Sequence, residues 1–360
     1  MKTKSKRLAN IELLRILAML MVVMLHYLGK AALLPMPGLA MNAQGYVAWI
    51  MEALCIVAVN VYVLISGYFL VQSQFKFGRV VELVLQVLFY AILVTAVAYA
   101  LGIVGNEIFG IYNLTVQLFP FQMQEYWFMT AYLIMYLLSP FLAAGAKAVS
   151  QKQLKVSILL LLTVFCFVKS ILPVDMALGN HGYDALWLIC LFLIAAYIRL
   201  YGIKFLEKPW SAALLYFGSC FMIFAETFVL GIIYEKTGKL GMVSGSSYHY
   251  NHIFNLLASI GLFMWFLNMK IPEGKVSRII CKISPYTLGV YLLHDHIYVR
   301  NLWTGWLKAG SATNVVTFVL MALGSVLLVF VIGIVVDYFR SLLFKLGSKL
   351  IHGKKAGKDI

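Results

Sequence analysis

Residues 15–27 read RILAMLMVVMLHY: an arginine and a histidine bracket ten unbroken apolar residues. The run has the composition of a lipid-spanning helix, yet lipid penalises both of the groups that flank it. Outward from this stretch the chain keeps the same character. Its 360 residues are 62% hydrophobic and only 12% charged, with a mean hydropathy of +0.90. A soluble domain carries about a quarter charged residues. Apolar runs of about 20 residues, the length that crosses a bilayer, recur along the whole chain. The fold class read from this pattern is all-α: a polytopic integral membrane protein with about ten transmembrane helices, at approximately 8–29, 46–71, 79–104, 126–145, 155–172, 185–201, 210–233, 252–269, 284–305 and 312–339. The first run contains an arginine and no small-residue cleavage site, so it reads as a retained helix and not as a removable leader.

Basic residues give the orientation. With the N-terminus inside, the inner segments 1–10, 72–79, 143–155, 199–208, 268–282 and 340–360 hold 22 Lys and Arg residues, and the outer loops hold 6. Both termini are therefore expected to be cytoplasmic. The same asymmetry accounts for the net charge of +15. Scattered among short inner loops, these charges fit contact with an anionic lipid bilayer and not with nucleic acid. Residues 1–340 read as a single membrane domain, and 341–360 as a basic cytoplasmic tail that can form an interfacial amphipathic helix. The basic bias and the short loops suit the inner membrane of a bacterium.

Cys55, Cys166, Cys190, Cys220 and Cys281 fall in or near spans without paired spacing, which is the pattern of small packing residues and not of a disulfide or metal framework. No internal repeat, linker or low-complexity tract interrupts the chain. With short outer loops, chemistry has to be built from the helices themselves.

Helical geometry then explains the opening stretch in part. Arg15 and His26 are eleven residues apart, almost three turns, so they project from one face about 16 Å apart along the axis. Glu12, one turn before Arg15, is placed to pair with it. Either these groups face a watery cavity, or they form a structural ion pair and a hydrogen-bonded interior histidine. Three further stretches bear on the choice: AVNVYVLISGYFL (58–70), with Ser66-Gly67-Tyr68 where glycine permits close backbone approach; EYWFMTAYLIMYLLSP (125–140); and ISPYTLGVYLLHDH (283–296), which carries His294.

Together with IELLRILAMLMVVMLH (11–26), these stretches resemble the membrane acyltransferase-3 family, which moves acyl groups onto extracytoplasmic sugars. The resemblance rests on four patterns in order: an arginine and a histidine separated by ten residues in the first helix (Arg15 and His26), an SGF-like turn in the second (Ser66-Gly67-Tyr68), a W-[FY]-L-like helix ending near proline (from Trp127), and a Y-L-x-H-like helix near the C-terminus (ending at His294). The chain departs from the family where Glu12 replaces a frequent aspartate, and where Lys76 and Arg79 stand for a frequent Arg-x-x-Arg pair. Lysine acts as a point charge and not as a bidentate fork.

The resemblance implies a membrane O-acyltransferase that uses cytoplasmic acyl-CoA, with acetyl-CoA the expected donor, and no metal. The acceptor it implies is a hydroxyl of an extracytoplasmic polysaccharide or glycolipid. Arg15, Lys76 and Arg79 would hold the anionic donor. His26 would act as general base, Glu12 would fix Arg15, and a transient acyl-histidine is a variant of the same chemistry. Ser66, Trp127 and His294 are the substrate-binding candidates. His294, with Asp295 and His296, would orient the acceptor or stabilise an oxyanion, or His294 is a satisfied interior histidine. Tyr126, Trp127 and Trp187 suit sugar stacking or an interfacial belt. Glu82 and Glu226 read as paired or cavity-lining, and His249 and His252 as weak metal-ligand candidates. The competing class is transport, an exporter of polysaccharide or lipid-linked sugar with Arg15 and His26 lining the path, and a ligand-sensing membrane domain is a third option. The lack of matching halves argues against transport.

Overall fold

A computed structural model describes residues 7–172 and 180–355; the first basic residues of the N-terminal segment and the last of the tail lie outside the described residues. Every regular element among them is helical. We number the principal helices α1 (Ala9–Lys30), α2 (Ala43–Leu70), α3 (Phe77–Ala100), α4 (Trp127–Ala148), α5 (Gln151–Ile171), α6 (Ala185–Tyr201), α7 (Pro209–Thr237), α8 (Ile253–Asn268), α9 (Thr287–His294) and α10 (Val315–Lys355).

Each expected span has a counterpart, with two qualifications. Among the described residues eight helical stretches are long and apolar enough to cross a membrane, α8 counted with the turns that precede it from Ser246, and α6, with 17 residues, is apolar but shorter. The expected span 284–305 is not one helix: a 3₁₀ turn, Ser284–Tyr286, leads into the eight residues of α9, the chain turns through 295–302, and a short helix follows at Trp303–Trp306. The cause lies in three consecutive polar residues. On a continuous helix His294, Asp295 and His296 would point about 100° apart, and one would face lipid. Ending the helix at His294 buries all three.

Burial separates an inner from an outer layer. In the apolar windows of α1 and α8, 67% of residues are buried, and 61% in α2; the values for α3, α4, α5, α7 and α10 are 28–33%. The outer helices present leucine, valine and phenylalanine outward, as at Leu320 and Leu327 of α10 and Phe217 and Phe221 of α7. α1 packs against α2, α8, α9, α10 and the short amphipathic helix Lys275–Ile283. It is the axial helix of the bundle, which explains how it can carry polar groups at all.

Two glycines set the close crossings that frame the site. A Cβ on Gly67 would sit 2.9 Å from Ala195 Cβ and 3.0 Å from Phe192 Cα, so the SGY stretch of α2 lies against the backbone of α6. On α9 a Cβ at Gly289 would overlap the Asp337 side chain of α10. Asp337 is fully buried, and its Oδ1 accepts from Arg340 Nε (2.6 Å), Gln86 Nε2 (3.0 Å) and Tyr90 Oη (3.0 Å), while Oδ2 accepts from Arg340 at 3.1 Å. Asp337 thus ties α10 to α3, and Arg340, read from the sequence as a loop charge, is its buried partner on the same helix. α10 runs on without a break through Lys355, so the described part of the basic tail continues the last helix. All five cysteines are free thiols.

Candidate active site

α1 forms one wall of a cavity of about 740 Å³, within the range of about 300–1,000 Å³ usual for ligand pockets. Its residues describe a path along the helix. One end is basic, with Arg7, Lys76 and Arg79; Glu12, Arg15, Tyr62, Ser66 and Tyr132 follow; His26, Trp127, Tyr250 and Tyr291 close the other end. Lys76 and Arg79 sit at the N-terminus of α3, where the helix dipole adds positive potential.

The expected pair on α1 is present. Arg15 donates to Glu12 Oε1 at 2.9 Å, and the hydroxyl of Ser284 donates to Oε2. Glu12 is 5% exposed, whereas the Arg15 side chain keeps 32% of its surface open. One side of the guanidinium is held, and the rest lines the cavity. Tyr62 Oη donates to the Arg15 carbonyl at 2.6 Å, which fixes this turn of α1 against α2. Ser284 precedes Pro285 in the stretch quoted for its histidine, and no local rule pairs it with Glu12, 272 residues away.

Ser66 also lines the cavity, with its hydroxyl donating to Tyr62 O (2.9 Å) and accepting from Tyr132 Oη (3.3 Å). Trp127 opens α4 and lies 5.8 Å from the Tyr250 ring at an interplanar angle of 25°, with the Tyr183 ring 4.5 Å away. Trp187 is interior: its Nε1 donates to Asn60 Oδ1, and Asn60 Nδ2 donates to the Tyr250 carbonyl. Lone asparagine in an apolar helix was the available signal for this brace between α2 and α6.

The three polar residues at the end of α9 separate. His294 reaches α1, with Nε2 2.8 Å from His26 Nδ1, while its Nδ1 lies 2.6 Å from the Val290 carbonyl. Asp295 Oδ1 is 3.8 Å from the same His26 nitrogen. His296 turns the other way, to Glu125 Oε1 at 3.3 Å and the Ala91 carbonyl at 3.2 Å. His249 lies against His181 and His252 against Glu226; among the described residues no three metal-ligating side chains gather. Glu82 lines the cavity near its basic end.

The chain matches the family model described as "Acyltransferase domain" over residues 8–334. It belongs to the acyltransferase-3 family. No curated protein and no solved structure matches it. Membership makes the chain a membrane acyltransferase, and the transport alternative finds no support. For an acyltransferase, the arrangement offers cationic groups at one end of a buried path and an imidazole at the other, about 16 Å further along one helix.

Proposed function

We propose that the protein transfers an acetyl group from cytoplasmic acetyl-CoA to a hydroxyl of an extracytoplasmic polysaccharide or glycolipid, across the inner membrane of a bacterium with both termini inside. The observation that carries this reading is the continuous cavity from Arg7, Lys76 and Arg79 past Arg15 to His26. A donor with a polyanionic head and a long thin arm matches such a path: its phosphates meet the basic rim and Arg15, and its thioester reaches His26. Ser66, Tyr62 and Tyr132 offer hydrogen-bonding groups along the way. Glu12 holds Arg15 and takes no part in the chemistry. Trp127 and Tyr250 supply aromatic faces for the acceptor at the far end.

In the transfer, His26 takes the proton of the acceptor hydroxyl as the oxygen–carbonyl bond forms. The carbon–sulfur bond then breaks, and the imidazolium returns the proton to the departing thiolate. Charges and atoms balance within the site, with no metal and no external proton.

The test is turnover by purified protein in nanodiscs with radiolabelled acetyl-CoA and a panel of glycan acceptors, comparing wild type, Arg15→Ala and His26→Ala. Label should pass to an acceptor with wild type; His26→Ala should lose about 10²–10⁴-fold, and Arg15→Ala should lose donor binding. Full transfer by a folded His26→Ala protein defeats the mechanism, and absence of any CoA binding by folded wild type defeats the donor assignment.

A further inference from the structure

We propose that His294 is a positioning residue that fixes the tautomer of His26, so that Nε2 of His26 carries the lone pair and is the nitrogen that receives the acceptor proton. The inference rests on the reading of His26 as general base and assigns the group that makes it one.

A carbonyl oxygen only accepts, so the 2.6 Å contact between Val290 O and His294 Nδ1 requires the hydrogen on Nδ1. In a neutral ring, His294 Nε2 then has a lone pair and no hydrogen. It lies 2.8 Å from His26 Nδ1, so the hydrogen of that contact belongs to His26. His26 is thereby the Nδ1–H tautomer, with Nε2 bare. Reversing the contact would require His294 protonated on both nitrogens, a cation 2% exposed inside a membrane bundle.

The surroundings hold this arrangement. His294 is the last residue of α9, and the carbonyl it grips lies one turn back on the same helix. The Trp303 ring lies 6.0 Å from its imidazole, nearly perpendicular at 88°. His26 lines the cavity, and with Nδ1 engaged its Nε2 is left for a hydroxyl. On protonation, His26 keeps the Nδ1–H donation to His294, so no second proton moves. Asp295 Oδ1, 3.8 Å from Nδ1, is too far to take that hydrogen bond. In hydrolytic triads a carboxylate fills the place of His294. Here a neutral imidazole takes the hydrogen-bonding position and does the same orienting work, and the carboxylate stands back at 3.8 Å.

The experiment compares wild type, His26→Ala, His294→Leu and His294→Gln in nanodiscs, measuring kcat and KM for acetyl-CoA and the ¹⁵N resonances of labelled histidine, with His26 assigned by subtracting the His26→Ala spectrum. His26 should show a protonated Nδ1 and a bare Nε2 in wild type and a mixture in His294→Leu. That variant should lose roughly 10- to 100-fold in kcat with KM unchanged. His294→Gln, whose amide oxygen can accept from Nδ1–H, should recover to within about tenfold of wild type. Wild-type kcat in His294→Leu, equal losses in Leu and Gln variants, or a protonated Nε2 on His26 in wild type each overturns the assignment. The NMR readout needs no turnover, so failure of the acetyl-transfer reading and failure of the tautomer assignment are told apart.

Discussion

Removing the Glu12 carboxylate isolates a positive charge in the middle of the bundle, and the cost follows from how that charge is held. Breaking a fully buried ion pair costs about 3–5 kcal/mol. Arg15 keeps 32% of its side-chain surface open to the cavity, where water screens it, so about 2–3 kcal/mol is the figure for Glu12→Ala. Ser284 loses its acceptor at the same time. The expected result in nanodiscs is a fall in apparent Tm on the order of 5 °C. Arg15→Ala should cost at least as much, because it strands Glu12, only 5% exposed, with Ser284 as the partner of one carboxylate oxygen. The double variant should be more stable than the sum of the two losses predicts, with a coupling of about 1–2 kcal/mol. Scanning fluorimetry on the four proteins completes the cycle. Additivity within about 0.5 kcal/mol would refute the account, since the 2.9 Å contact would then carry no coupling across the bilayer interior.

At the basic rim, Lys76→Ala and Arg79→Ala should each raise KM for acetyl-CoA about fivefold and flatten its salt dependence, with kcat unchanged; initial rates at low and high salt check this, and an acetyl-pantetheine donor without nucleotide phosphates should be indifferent to either change. In the α3–α9–α10 region, Asp337→Ala strands the nearly buried Arg340 and removes an acceptor from Gln86 and Tyr90, so a loss of about 3–5 kcal/mol is expected, and Asp337→Ala with Arg340→Met should be the more stable of the two variants in thermal unfolding.

Local rules made much of α1 legible. The i,i+3 spacing of Glu12 and Arg15, and the face shared by Arg15 and His26, depend only on helical geometry, and both hold in the structure. Lys76, Arg79, Ser66 and Trp127 also line the same cavity. What stayed hidden lies at long range. The resemblance singles out His294, but its contact with His26, 268 residues away, is one that no periodicity encodes. The end of α9 was missed for a related reason: hydropathy over 284–305 averages three polar residues into a long apolar background, while the chain responds to where each individual side chain finds a partner. Arg340 was misplaced by the reverse error, since a charge near a span's end reads as loop until Asp337 is seen one turn away on the same helix.

Between Arg15 and His26 the helix contains neither glycine nor proline, and its turns are clamped by Glu12 and Tyr62 at one end and by His294 at the other. Two fixed marks on one stiff rod make a gauge. On the proposed reading the protein therefore selects its donor by reach as well as by charge. A carrier whose acyl group sits too close to its phosphates, such as a simple acyl phosphate, can touch one mark but never both.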